Sequence, residues 1–276
     1  MKHIQLILAL AIGLSGSYLG AQQPSQISFS YAHLADISLS APVVADVTVI
    51  TTTRLKGKPA EGTPAGHTRF LVTAAVNALL RGKEGLPPQV SYLADLPLDD
   101  RGRAPKIKKS RFLIAARTTP GNAAILQLSR PDSQVPWTPE NLDRMRNILT
   151  AAVAADAPPS ITGVGDAFHV RGTLPGESET QIFLKTGQNR PVSLNVLRRP
   201  GETPTWSVAL GEMVDEAATA PQRDSLLWYR LACFLPSDLP ADATASMNPD
   251  DASATAADYK LVIDSLGPCD RGPPAS

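Results

Sequence analysis

The chain is poor in the residues that most often announce a function. Only two cysteines, Cys233 and Cys269, occur in 276 residues, too few for a thiolate metal site, which takes about four ligands. Aromatic residues make up 5% and do not interleave with the basic residues, so the stacking platforms of nucleic-acid binders are missing. An excess of one charge is missing too. Lys and Arg total 26, Asp and Glu total 26, and no net field attracts nucleic acid or an anionic membrane. Beyond the N-terminus no apolar run approaches the roughly 18 residues that a membrane helix needs. Catalytic signatures are also absent. His33, His67 and His169 include no pair at HExxH spacing, and there is no G-x-S-x-G elbow, S-x-x-K, P-loop, G-x-G-x-x-G or EF-hand loop. Nothing in the sequence requires a cofactor.

What is present starts at the N-terminus. Lys2 supplies a positive charge, and Ile4 to Leu14 is apolar apart from Gln5 and Gly13. Small residues then run from Ser15 to Ala21, ahead of Gln22. An apolar stretch of about ten residues is too short to span a bilayer and fits a secretory signal peptide over residues 1–21, cut near Ala21. No cysteine lies near that cut, which excludes a lipid-anchored N-terminus. The expected location is therefore the periplasm or the exterior. In such an oxidising compartment an isolated cysteine pair forms one disulfide, here Cys233–Cys269.

A hydrophobic content of 43% is enough for a core, while 25 prolines and 19 glycines imply many turns. The patterning predicts an α+β fold. Val43, Ala45, Val47 and Val49 alternate with Asp46 and Thr48, which reads as a strand. Phe70 to Leu80 reads as a second strand, with Phe70, Val72, Ala74 and Val76 inward, although an Ala-rich helix is the competing reading. Gln89 to Ala94, Arg111 to Arg117 and Ala123 to Leu128 complete five strands joined by polar loops, a small barrel or sandwich. Thr138-Pro139-Glu140 then starts a helix with a hydroxyl cap, Pro at the first position and an acid in the first turn. This β-rich module is expected over 22–157, bounded by Pro158-Pro159. A three-stranded β-meander follows, with Val192, Leu194 and Val196 in one strand and Trp206, Val208 and Leu210 in the next. A buried helix from about Arg223 to Leu235 covers it, giving a second module over 160–236. Residues 237–257, rich in Ala, Asp, Ser and Pro, read as a flexible linker, and 258–276 as a C-terminal helix and tail.

Two groups of residues carry candidate chemistry. Arg101, Arg103, Lys106, Lys108, Lys109 and Arg111 fall within eleven residues with no acid among them. Such a cluster attracts phosphate, acidic polysaccharide or lipid head groups, and also occurs simply as a solvated loop. Glu177 and Glu179, two residues apart with His169 a strand-length upstream, form the best acid–base set, since alternation places both carboxylates on one face. The first group points to a non-catalytic, envelope-associated binding protein with an anionic partner. The second points to a hydrolase with a dispersed site, and the meander edge to a structural or assembly factor.

Overall fold

The computed structural model describes residues 29–211 and 219–272. The expected signal peptide lies outside them. The N-terminal half is built from β1 (Val43–Arg54), β2 (His67–Arg81), β3 (Gln89–Pro97), β4 (Arg111–Thr119) and β5 (Asn122–Leu128). They pair in the order β1-β2-β3-β5-β4, and β4 returns to β1, closing a five-stranded barrel. Every contact is antiparallel except the short parallel β3–β5 join at Ser91–Ile125 and Tyr92–Leu126. Closure removes the open edges that a free sheet would present. A short β6 (Gln134–Pro136) extends the sheet beyond β4.

Period-two alternation explains the interior. Ala45, Val47 and Val49 of β1, Val72 and Ala74 of β2, and Ile114 and Ala116 of β4 fill the barrel with Tyr92 and Leu126. The second strand is thus a strand over its whole length, as its opening Phe70 and Val72 predict. The opposite face of β1 and β4 is buried as well. Val44, Leu113 and Ala115 pack against α1 (Tyr31–Ser40) and α2 (Pro139–Val153), including Leu34, Ile37, Met145 and Ile148. The expected cap of α2 is present, with the Thr138 side chain accepting from the Asn141 N–H.

The same apolar cluster continues into the C-terminal half through Ile182, Leu184, Leu194 and Val196. There the structure corrects three expectations. The meander has four strands, not three: β7 (Ile161–Arg171), β8 (Ser178–Thr186), β9 (Ser193–Arg198) and β10 (Thr205–Ala209). Gly163, Gly165 and irregular pairing between Val164 and Ala167 interrupt the alternation of β7, which hides it from pattern reading. The covering helix α3 is shorter than expected, Leu226–Ala232, because Ser225 caps it by accepting the Trp228 N–H. Finally, residues 237–257 are not a linker. Ala241–Thr244 is a 3-10 turn and α4 runs from Pro249 to Leu266, capped by Asn248. The buried stripe of α4 opens with Thr255 and Asp258 before Tyr259, Val262 and Leu266, so its first two members carry no hydrophobic signal.

The disulfide is formed. Cys233, at the end of α3, is bonded to Cys269, just past α4, with their Cα atoms 5.2 Å apart.

Burial also sets the alkaline limit of this core. Tyr31 is pushed up to about 12, chiefly by desolvation and then by Asp224. Tyr92, Tyr229 and Tyr259 are pushed up by desolvation too, with Tyr229 further raised by its hydrogen bond to Asp36. A folded value above the unfolded value of 10.0 means full stabilisation below pH 10 and loss as the pH rises through about 12. Base titration is therefore expected to unfold the protein cooperatively, with tyrosinate absorption from these residues appearing together with the loss of circular dichroism. Tyrosinate from all four well before unfolding would contradict this packing.

Candidate functional site

The basic segment lies between β3 and β4 at the barrel rim. Ile107 in its middle is only 8% exposed and packs into the barrel core. Strand-like bonds from Lys109 N–H to Val49 O and from Val49 N–H to Ser110 O, both 2.9 Å, tie the end of the segment to β1. With Ile107 turned inward, its neighbours Lys106 and Lys108 are both exposed, and the backbone is held rather than free.

The six cations divide into two kinds. Arg103 donates from Nε and Nη2 to one carboxylate oxygen of Asp99, whose other oxygen accepts the Arg101 and Arg103 backbone N–H groups, and this holds that exposed carboxyl below its usual range. Arg111 makes a forked contact, Nε and Nη2 donating to the two oxygens of Asp46, a buried carboxylate that also accepts from Asn77 Nδ2 at 2.9 Å. The Arg111 guanidinium stacks 4.0 Å from the Trp137 ring centroid. These two arginines are structural. Arg101, Lys106, Lys108 and Lys109 are exposed and have no carboxylate partner among the described residues.

The acid–base set is only partly assembled. His169 on β7 and Glu177 both line a cleft of about 620 Å³ that also takes in Arg171, Arg198 and the residue 172–176 turn. Glu179 is exposed on β8 and is not among the lining residues. Glu177 folds back over its own loop, accepting the Leu174 N–H at 3.3 Å, and a Cβ at Gly172 would collide with it. Behind the cleft lies a buried chain that the sequence does not reveal. Asp258 of α4 accepts the Thr180 hydroxyl proton on one oxygen and Arg198 Nε on the other, the latter at 2.6 Å. Thr180 Oγ1 is thereby left to accept from His169 Nδ1, 2.8 Å away. Arg171 is paired with Asp251 at 2.7 Å. Each cation facing this cleft is matched by an aspartate of α4, and no hydroxyl or thiol nucleophile is hydrogen-bonded to the free nitrogen of His169 among the described residues. The chain docks α4 onto the sheet more evidently than it prepares a reaction.

His33 and His67 do not line this cleft. His33 is buried on α1, with Nδ1 3.1 Å from Arg271 O. His67 is exposed, with Nδ1 3.1 Å from Ala65 O. No group of three potential metal-ligating side chains occurs among the described residues. A further cleft of about 580 Å³ lies over β2, β3 and β5. Its floor includes the exposed Leu71 and Leu93, which face each other across β2 and β3. Of its charged lining groups, Arg69 and Asp95 form a forked pair at 2.8 Å, and Arg130 is paired with Asp132 at 2.8 Å.

The chain matches no family model and no curated protein. No helix among the described residues is long and apolar enough to cross a membrane.

Proposed function

We propose that this is an exported, non-catalytic binding protein of the cell envelope, and that the β3–β4 segment is its contact for an anionic partner. The observation that carries the reading is the set of four unpaired cations, Arg101, Lys106, Lys108 and Lys109, on a backbone pinned by Ile107. A cluster held in place loses less freedom on binding than a floppy one and concentrates charge in a nearly neutral protein. Export is supported by Lys2, the Ile4 to Leu14 run and the small residues before Gln22. The hydrolase reading has less support, because Glu177 is engaged by its own loop and Glu179 does not line the cleft that His169 lines.

The mature protein is expected to be retained on anionic vesicles or acidic polysaccharide, with retention falling as salt rises, since exposed ion contacts are screened over about 8–10 Å. Replacing Lys106, Lys108 and Lys109 together with Ser is expected to weaken vesicle binding by about 3 kcal/mol, roughly a hundredfold, at about 1 kcal/mol per lysine. Its melting temperature should match the parent's, because none of the three makes an ion pair among the described residues. Equal retention of parent and variant would remove the loop from the reading. Protein recovered from cells should begin near Gln22, and recovery with Met1 intact in the cytosol would remove export.

A further inference from the structure

A third, smaller cleft of about 360 Å³ has a different character from the regions described above. It opens where the C-terminal end of α1 and the end of β2 meet α2 and α3. Its walls include Leu39, Leu80, Leu149 and Ala152, and among the described residues its only ionisable lining groups are Arg81 and Arg230. No carboxylate among the described residues lines it. A volume of this size belongs to the low end of small-molecule clefts, about 300–1,000 Å³.

The two arginines are unequally available. Arg81 Nη1 donates to Ser38 O at 3.1 Å and Leu39 O at 3.0 Å, at the C-terminal end of α1. That contact fixes its position while leaving its other nitrogens without a hydrogen bond among the described residues. Arg230 of α3 is half-buried and has neither a carboxylate partner nor a side-chain hydrogen bond among the described residues. Among the described residues, the charged or titratable groups it faces are Tyr229, Tyr31 and Arg190, and the last repels it. Desolvation holds its pKa below the ordinary arginine value. A guanidinium that has lost water and gained no acceptor is in an unfavourable position, and an anion beside it would relieve that.

We infer that this cleft binds a single-chain carboxylate amphiphile of the fatty-acid class, with its head on Arg230 and Arg81 and its chain along Leu80, Leu149 and Ala152. A planar carboxylate matches one guanidinium in the forked geometry that arginine favours. Arg81 spends one Nη on the α1 carbonyls, so Arg230 offers the one complete guanidinium fork, which the two oxygens of a planar carboxylate fill. The apolar walls require a hydrocarbon portion, and the volume admits one short chain, not two. The site is separate from the basic loop and does not rest on the loop's proposed role.

Calorimetric titration of the mature protein with decanoate, below its micelle concentration, tests this. Saturable binding to one site is expected, with decanol at least tenfold weaker and decyl phosphate no tighter than decanoate. Arg230→Gln should lose at least tenfold in affinity while melting like the parent. Ala152→Trp, which fills the cleft and leaves both arginines in place, should lose binding independently. The Lys106, Lys108 and Lys109 serine variant should bind decanoate like the parent, which separates this site from the loop. Absence of saturable binding, equal binding of decanol, tighter binding of decyl phosphate, or undiminished binding by Arg230→Gln or Ala152→Trp would each overturn the assignment.

Discussion

Replacing Asp258 with alanine is expected to destabilise the protein by about 3 kcal/mol, the lower part of the range for removing one partner of a buried ion pair. Asp258 is completely buried, and both of its oxygens are occupied, by Thr180 and by Arg198. Its removal leaves a guanidinium facing a cavity and a buried hydroxyl without an acceptor. Arg198 is 35% exposed and recovers some hydration, which keeps the loss from being larger. For a chain of this size the change corresponds to a melting temperature lower by roughly 6–12 °C, at about 2–4 °C per kcal/mol. Asp258→Asn should lose less, because the amide oxygen still accepts from Thr180. Thermal melts of the two variants beside the parent check this, and an alanine variant that melts within a degree or two of the parent would refute the role given to the network.

Opening the disulfide is expected to have an effect of similar size. The bridge spans 36 residues, for which loop-closure entropy corresponds to about 3–4 kcal/mol. It also holds the segment after α4 against α1. Asp270 O accepts the Ser30 hydroxyl at 2.6 Å, Arg271 O lies 3.1 Å from His33 Nδ1, and the Arg271 guanidinium lies 3.5 Å from Asp36 and 4.6 Å from the Phe234 ring centroid. Without the covalent tie, these contacts must hold a chain end in place on their own. Replacing both cysteines with Ser should lower the melting temperature by roughly ten degrees and raise amide exchange in α3 and α4. Native protein from cells should show no free thiol. A double variant as stable as the parent would show that packing alone keeps the C-terminal segment docked.

Some parts of the fold were legible because their signals are local. Val43 to Val49 alternates, Thr138-Pro139-Glu140 carries a complete helix start, and Gly267-Pro268 ends α4 where its φ turns positive, at 70° for Gly267. Each depends on neighbours a few residues away. Strand β7 and the first half of α4 were not legible, for opposite reasons. Glycines and a bulge break the period of β7, while α4 buries Thr255 and Asp258 where a periodicity search looks for leucine.

The sequence by itself determined the disulfide pairing, since two cysteines allow one bridge, the β-rich α+β class, and the concentration of positive charge between β3 and β4. Only the tertiary structure decided which of those charges are free. Arg111 is neutralised by Asp46, 65 positions away, and Arg103 by Asp99, so a row of six like charges becomes four. It likewise decided that His169 meets Thr180, and through it Asp258, rather than a catalytic glutamate, and that Arg81 and Arg230 share one apolar cleft. Local propensity depends on residues within one or two turns, whereas the partner of a charge depends on which distant strand or helix packing brings beside it. Composition can therefore count charges, but only the packed fold can say which of them are still unpaired.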